Sequence, residues 1–218
     1  NSKMASTASP YGLLPVNLIG GGPYQGGTLR EFAVNANVAT AIFNGQLVVL
    51  STAGLPAGVT ASPVAQNLAA TSAQPTAGIV GVCQGCSYIS AEGQLLFKNF
   101  LPVNLVSGGA TEVKLLVNDD PNSVFKIQGA AAIGSLTGGA AACGGTNGAG
   151  STFTGSTTTG KSAMALAVGS NGGSLAATAT LAFRVIGVVP GTETDTYPEF
   201  LVKYNVGVHS YNNSLGLA

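Results

Sequence analysis

The strongest constraint on the fold of this chain is a run near its C-terminus in which every second residue is apolar. Between Glu199 and His209 the alternating apolar residues are Phe200, Val202, Tyr204, Val206 and Val208. Successive side chains of a β-strand point to opposite faces of the sheet, so this spacing puts all of them on the same face. It predicts a β-strand over 199–209 that has one packed face and one face toward solvent or a partner.

Shorter runs predict further strands. They fall at Leu29 to Val34, Ile79 to Val82, Gln94 to Phe100, Thr111 to Val117, Ser123 to Gln128, Ala163 to Val168 and Thr178 to Val189. Asn44-Gly45 stands between the apolar runs 38–43 and 46–50, which favours a two-residue hairpin because both turn positions need positive φ. Residues 51–76, rich in Pro, Ala, Ser and Thr, are predicted to be an ordered loop.

Composition favours sheets over helices. The chain has 32 Gly among its 218 residues, and small residues take the place of the Leu, Glu, Lys and Arg that long helices prefer. We predict an all-β protein, a β-barrel or β-sandwich, with a single β domain over 28–218. The Gly/Ala/Ser/Thr-rich stretch at about 129–160 is predicted to be a loop insertion, because it buries little apolar area for each residue it orders.

Residues 1–27 are predicted to form an extended N-terminal arm. They carry Tyr11-Gly12-Leu13-Leu14-Pro15-Val16 among small residues, Pro and Gly, and are too short and interrupted to be a domain. Such a segment can lie across a neighbouring subunit, adding main-chain hydrogen bonds to a sheet edge and filling pockets with Leu and Tyr. It can equally fold back on its own domain, and the sequence leaves both arrangements open.

Charged side chains are scarce. Asp, Glu, Lys and Arg make up 7% of the residues, against roughly 25% in an ordinary soluble domain, and the acids and bases cancel. Because charge keeps free proteins apart in water, a neutral, charge-poor chain tends to associate with something. The composition therefore indicates a subunit that packs against others.

Several classes of function are disfavoured by the same composition. One His, three Cys and no Trp offer little for catalysis, so we predict that the chain is not an enzyme. The basic residues are scattered singly from Lys3 to Lys203, which disfavours binding to nucleic acid. No stretch approaches the roughly 18 to 20 apolar residues that span a bilayer, and Asn1 to Met4 lack the apolar segment of a signal peptide. No membrane partner is expected, and the chain is expected to be made in a cytosol.

The segment Gly155-Ser156-Thr157-Thr158-Thr159-Gly160-Lys161-Ser162 matches the phosphate-loop pattern G-x-x-x-x-G-K-[ST]. The chemistry of that loop requires a strand that leads into it and a helix that follows it, so that amide groups and the helix dipole converge on phosphate. Neither is predicted here, because a Gly-rich tract precedes the match. We interpret it as a chance match in a stretch of Gly, Ser and Thr.

Cys83-Gln84-Gly85-Cys86 has the spacing of half a zinc site. Cys143 and His209 would complete four ligands by count, but they are dispersed along the chain, whereas tetrahedral sites pair ligands at short spacing. A Ser-His-Asp triad would need His209, and no G-x-S-x-G elbow is present. We predict no metal, no cofactor and three reduced thiols.

The chain contains, in this order, the segments Ser9 to Val16, Pro23-Tyr24, Gly45 to Val48, Gly78 to Val82 with Cys86-Ser87-Tyr88, Val117 to Gln128, and Phe200 to Val206. Taken together, these segments resemble the decoration or cement proteins of tailed-phage heads. The resemblance implies a non-enzymatic structural virion protein that binds the outer surface of the major capsid lattice and bridges neighbouring subunits, often as a homotrimer. It would be assembled in the host cytoplasm and would help the DNA-filled head to resist internal pressure.

On this interpretation the partners are the major capsid protein and further copies of the chain. The candidate residues for the capsid or neighbour interface are Tyr11, Leu13, Leu14 and Val16, with Arg30 and Glu31 as further candidates. Two alternatives remain open: a carbohydrate-binding or fibre-like β-module, and a minor coat protein that forms the lattice itself. Exposed aromatic residues on a flat face would favour the first, and a long helical spine the second.

Overall fold

Antiparallel β-strands dominate the computed structural model of this chain. The structure describes residues 6–24, 29–34, 40–51, 64–67, 78–105, 107–133, 145–168 and 175–212. The strands are β1 (Leu14–Leu18), β2 (Leu29–Ala33), β3 (Ile42–Phe43), β4 (Leu47–Ser51), β5 (Val64–Asn67), β6 (Ile79–Ile89), β7 (Leu95–Lys98), β8 (Phe100–Leu101), β9 (Thr111–Asn118), β10 (Ser123–Gln128), β11 (Asn147–Gly148), β12 (Gly150–Ser151), β13 (Ala165–Leu166), β14 (Phe183–Val188) and β15 (Glu199–Tyr204). No α-helix occurs among the described residues, and the predicted all-β fold is confirmed.

The first sheet has five strands in the order β1-β10-β15-β14-β11. Phe125 and Ile127 of β10 lie opposite Val202 and Phe200 of β15, and all four side chains are buried. The Phe125 and Tyr204 rings meet edge to face with their centroids 5.1 Å apart. Alternation along these two strands therefore supplies one continuous apolar face, as the sequence predicted for this part of the chain.

The first core lies between this face and a second sheet. Its larger members are Leu13, Phe125, Met164, Phe183, Phe200 and Tyr204. Leu47 of β4 and Ile79 and Val82 of β6 reach the same core from the second sheet. Two sheets facing each other across a shared apolar layer form a sandwich-like arrangement.

The second sheet has six strands: the order is β2-β9-β6-β4-β5, and β7 also pairs with β6. Its two outer strands, β2 and β5, contact each other, so the sheet curls on itself. The curl surrounds a second core whose larger members are Phe32, Ile42, Val80, Tyr88, Leu101 and Leu115. Strand β6 contributes to both cores, which is why nearly every residue along it is buried.

The predicted strand over 199–209 is shorter than its pattern indicates. It ends at Tyr204, and the N–H groups of Val208 and His209 then donate to the carbonyl of Asn205 over 3.1 and 3.2 Å, which turns the chain. Val206 is 52% exposed on this turn, whereas Val208 is buried in the first core. The prediction that Val206 shares the packed face is therefore wrong, because the turn interrupts the alternation.

Asn44-Gly45 forms a turn but not the predicted hairpin. The Gln46 N–H donates to the Phe43 carbonyl over 3.1 Å, and Gly45 alone of the central pair has positive φ, at 82°. This is the pattern of a type II turn, which splays its two arms. Accordingly β3 pairs with β8, while β4 pairs with β5 and β6.

Two stretches predicted to be loops contain strands. Within 51–76, β5 pairs with β4; residues 52–63 and 68–77 lie outside the described part. Within the predicted insertion at 129–160, β11 pairs with β14 in the first sheet and Phe153 is buried in the first core. A surface insertion is therefore the wrong description of 145–153, because short strands of Asn, Gly and Ser still satisfy main-chain hydrogen bonds. Residues 134–144 are not among those described.

Candidate functional site

The N-terminal segment folds back on its own domain over residues 6–24. Strand β1 pairs antiparallel with β10 and is the outermost strand of the first sheet. Leu13 is buried in the first core, and its N–H donates to the Gly45 carbonyl over 2.8 Å. Leu13 is therefore not available to a neighbour, which corrects its assignment as an interface residue. Of the two arrangements left open by the sequence, this part of the segment adopts the second.

Side-chain hydrogen bonds hold the residues before β1 in place. The Ser9 N–H donates to Oε1 of Gln128 over 2.9 Å, and Nε2 of Gln128 donates to the Thr7 carbonyl over 3.1 Å. The Tyr197 N–H donates to Oγ of Ser6 over 2.9 Å. These bonds join the segment to β10 and to the loop before β15, so residues 6–11 are an integral part of the domain surface.

Tyr11 belongs to a polar cluster on the same sheet. Its hydroxyl donates to Oε1 of Glu199 over 2.7 Å, and Lys126 lies 3.1 Å from the same carboxylate and 5.5 Å from the Tyr11 ring centroid. Burial, followed by the bond to Glu199, raises the pKa of Tyr11. Tyr11 thus bonds within its own chain, and one face of its ring is covered by Lys126.

Leu14 and Val16 on β1 and Ile19 directly after it are exposed apolar residues, and we call this set the β1 surface. Their side chains are 49%, 44% and 49% exposed. The pairing with β10 shifts between Pro15 and Asn17, so Val16 is the extra residue of a bulge, a feature that re-aims side chains at sheet edges. The β1 surface lies on the outermost strand of the first sheet, where the outer main-chain edge is partly covered by the chain itself: the Leu18 N–H donates to the Gly22 carbonyl over 2.9 Å, and Asn17 forms an antiparallel bridge with Pro23.

A groove of about 660 Å³ opens beside Leu14, between residues 9–14 and the loop 155–163. Its polar lining includes Lys126, Lys161, Ser156 and Thr159. The β1 surface is therefore continuous with a concave region that carries two lysines and several hydroxyl groups. A neighbour that covers Leu14 would find both an apolar contact and hydrogen-bonding groups beside it.

Arg30 and Glu31 lie on β2 in the second sheet and are not part of the β1 surface. Arg30 Nη1 contacts Oδ2 of Asp119 at 2.8 Å and donates to the Tyr211 hydroxyl over 3.0 Å. Glu31 pairs with Lys114 at 2.9 Å, and both of these side chains are exposed. Each candidate charge therefore has an ion-pair partner in its own chain, and the exposed Glu31–Lys114 pair contributes little to stability.

The phosphate-loop match lies on a hairpin loop. Gly155 and Ser162 form an antiparallel bridge. The amides of the loop donate within the protein: Ser156 to the Lys161 carbonyl over 3.0 Å, Gly160 to the Ser156 carbonyl over 2.7 Å, and Ser162 to the Asn44 carbonyl over 2.8 Å. Amides used in this way do not converge on an anion as they do in a phosphate loop.

Cys83 and Cys86 both face the second core. Residues three apart on a regular strand point to opposite faces, but the register of β6 against β9 shifts between Cys83 and Gly85, and this bulge brings both thiols to one side. Burial raises the pKa of Cys83 to about 12 and that of Cys86 to about 11. Both thiols are thus protonated at neutral pH, a form that neither binds metal well nor attacks as a nucleophile. Cys143 lies outside the described residues.

His209 is buried between two aromatic rings. Its ring centroid lies 4.8 Å from that of Tyr204 and 5.2 Å from that of Tyr211, and its Nδ1 accepts the Tyr211 N–H over 3.3 Å. Its Nε2 is buried without a hydrogen-bond partner. The residue fastens residues 205–212 to the domain. Among the described residues no group of three or more His, Cys, Asp and Glu could hold a metal ion.

Acid is expected to destabilise the protein through His209. Burial lowers the pKa of His209, an effect that nearby Asp119 and Asp120 partly offset. The folded state therefore binds the proton less readily than the unfolded state, and stability should decrease as pH falls below about 6.5 toward the lowered pKa. The check is the pH dependence of the melting temperature in wild type and His209→Gln. An equal pH dependence of the two would contradict the prediction, whatever their absolute stabilities.

A second exposed apolar surface lies on β7, where the sequence predicted a strand but no functional residue. Leu95 and Phe97 are 62% and 69% exposed. The strand pairs with β6 on one side only. A period-two pattern shows which residues share a face of a strand, but it does not show which face is exposed to solvent. The exposure of Leu95 and Phe97 could therefore not be predicted from the sequence.

The described structure defines an all-β, antiparallel, charge-poor protein with apolar side chains exposed on two edge strands, β1 and β7. In the part of the chain described, no helix is long and apolar enough to cross a membrane. Neither the known protein-family models, nor curated proteins, nor solved structures match the chain.

Proposed function

We propose that this protein is a structural virion protein that binds the outer surface of a major capsid lattice and bridges neighbouring capsid subunits, and that it has no enzymatic activity. The observation that carries the proposal is the β1 surface, an exposed apolar edge strand in a chain in which only 7% of residues are charged. Exposing such an apolar surface to water is unfavourable, and covering it with a binding partner lowers the free energy. Capsid binding itself rests on the resemblance to phage decoration proteins.

The proposed contact uses Leu14, Val16 and Ile19 rather than a projecting arm. Burying one large apolar side chain completely contributes about 1.5–3 kcal/mol, so each of these half-exposed side chains would contribute about 1 kcal/mol. A single copy would therefore bind weakly through this surface. On a lattice, contacts made by linked copies add up, so an assembly such as a homotrimer would be held firmly although each contact is small.

Bridging requires that one copy touch more than one capsid subunit. The β1 surface and the groove beside Leu14 are adjacent, and they differ in chemistry: one is apolar, and the other carries Lys126 and Lys161. We propose that a capsid loop or terminal segment enters the groove while the β1 surface rests on a flat part of the lattice. Assembly in the host cytoplasm is compatible with the protonated, buried thiols of Cys83 and Cys86.

The test is a coating experiment on shells that lack this protein. Wild type is expected to sediment with the shells, whereas the double variant Leu14→Asp, Val16→Asp is expected to stay in the supernatant, because two charges would have to be desolvated at the contact. Val206→Asp is the matched control, since Val206 is an equally exposed apolar residue on a turn outside the β1 surface. Equal melting temperatures of the variants would show that binding, not folding, has changed.

The outcomes separate the function from the site. Wild type that never coats shells would overturn the proposed function. Coating that survives the double variant would retain the function but remove the β1 surface from it. Deleting residues 6–24 is not a suitable test, because Leu13 belongs to the first core. The deletion would unfold the protein rather than remove only its binding surface.

A further inference from the structure

Strand β7 is the outer arm of a hairpin whose inner arm is the second half of β6. Ser87 lies opposite Phe97 and Ile89 opposite Leu95. The chain reverses through the turn 91–93, where the Gly93 N–H donates to the Ser90 carbonyl over 2.9 Å. On its other side this half of β6 pairs with β9, so the exposed side chains of Leu95 and Phe97 lie on one face of an edge strand of the second sheet.

The hydrogen-bond pattern shows which main-chain groups of β7 are unused. The Ser90 N–H donates to the Gln94 carbonyl over 2.8 Å, which makes this pair a hydrogen-bonded one. Because hydrogen-bonded and non-hydrogen-bonded pairs alternate in an antiparallel ladder, Leu96 and Lys98 also bond to β6. The N–H and C=O groups of Leu95 and Phe97 must then point away from β6, toward the free edge.

Natural edge strands are normally protected by Pro, by inward charges or by being very short; β7 is short, at four residues, but contains no Pro. Here the outward groups belong to the two residues of β7 that carry large exposed apolar side chains. The edge is thus complementary to another β-strand of similar character, which would satisfy the main-chain groups and cover the side chains in one step.

We propose that β7 is a self-association site, at which a second copy of this chain pairs antiparallel with β7 about a two-fold axis through Leu96. In this register Leu95 of each copy lies opposite Phe97 of the other. Both residues have outward main-chain groups, so each donates and accepts across the axis. The exposed Leu and Phe side chains of both copies then merge into one apolar cluster on a shared face.

Charge complementarity points to a second copy as the occupant. The register places Lys98 of each copy beside the 91–93 turn of the other, which carries Glu92. Glu92 and Lys98 are both exposed, and neither forms an ion pair within the described part of the chain. Two-fold symmetry produces this contact twice, so Lys98 of each copy lies near Glu92 of the other copy.

The contact is small. Pairing of two four-residue strands covers far less than the roughly 1,600 Å² typical of stable complexes, so we expect reversible association that needs a high protein concentration. Crowding of copies on a surface would supply that concentration. The site is separate from the β1 surface and pairs two copies, so it would link neighbouring copies or trimers rather than replace capsid binding.

The experiment is sedimentation equilibrium over a range of concentrations. Wild type is expected to show a reversible rise toward twice the monomer mass. Leu95→Lys, Phe97→Lys is expected to lose this rise, while Val103→Lys, which changes an exposed apolar residue outside β7, should keep it. A melting temperature equal to that of wild type would show that the double variant remains folded.

A charge-exchange set tests the register. Glu92→Lys and Lys98→Glu should each weaken association, because each places like charges together in its own homodimer. An equal mixture of the two should restore it, since each mixed pair again has opposite charges at both contacts. Wild type that stays monomeric throughout, association that survives Leu95→Lys, Phe97→Lys, or a mixture that is not rescued would each overturn the proposal. Shell coating by a variant that has lost self-association would leave the proposed function intact.

Discussion

Leu13→Ala is expected to lower the free energy of unfolding by about 2–5 kcal/mol, the range found when a buried Leu is truncated. Leu13 is fully buried in the first core, and its main chain is bonded to the Asn44-Gly45 turn. The substitution leaves a cavity that the surrounding sheet cannot close, because residues on either side of Leu13 are tied down by hydrogen bonds to Met164 and by the pairing of β1 with β10. The measurement is chemical denaturation with an unchanged m-value.

Leu14→Ala is the matched control for this prediction. It removes the same atoms from the adjacent residue, which is half exposed, so the expected loss of stability is below about 1 kcal/mol. Equal effects at both positions would contradict the assignment of Leu13 to the core and would favour an arm that does not pack on its own domain. The pair of variants therefore distinguishes an integral strand from a projecting segment.

Gly81→Ala is expected to cost about 3 kcal/mol or more. Gly81 lies in β6 between two neighbouring strands, and a Cβ there would overlap the main-chain carbonyl oxygen of Asn118 and lie 2.7 Å from Cγ1 of Val117. That oxygen cannot withdraw easily, because it accepts the Tyr204 hydroxyl over 2.8 Å. Relief would require β6 and β9 to separate, and these strands form the centre of the second sheet.

Gly187→Ala supplies the comparison. Gly187 lies at the bulge of β14, and a Cβ built there meets nothing within 4 Å. Since a methyl group at an open position mainly restricts the unfolded chain, stability should be unchanged or should rise by up to about 1 kcal/mol. Thermal unfolding of both variants checks the contrast, and similar melting temperatures would show that the close approach at Gly81 is not a constraint.

Strands with local signals were predicted well. Ser123–Gln128 has the predicted bounds because its alternating residues meet the apolar face of β15 and its turn residues stop the strand on one side. The hairpin predicted at Asn44-Gly45 was wrong. A short sequence signal of this kind indicates that the chain turns, but it does not indicate which strands pair on either side of the turn. Pairing of β3 with β8 and of β4 with β6 depends on residues thirty or more positions away.

The residues predicted for the interface differ in exposure. Leu14 and Val16 are exposed as an interface requires, whereas Leu13, identical in type to its neighbour, is buried. Adjacent residues of a strand point to opposite faces of the sheet, so whether Leu13 or Leu14 is buried depends on the register of the strand. That register is set by the pairing of β1 with β10. The exposed Leu95 and Phe97 of β7 were missed for the related reason that no local pattern tells an edge strand from a central one.

The sequence by itself determined the class of fold, because alternation at period two and abundant small residues produce sheets. It also determined that the protein has few charges to keep it apart from other proteins. The tertiary structure alone decided that residues 14–18 form a strand of the first sheet, that Cys83 and Cys86 lie in a core, and that β1 and β7 are edge strands with exposed apolar side chains. The physical reason is that alternation and composition are local properties of the chain, whereas burial and strand order arise from hydrogen bonds and packing between segments far apart in sequence.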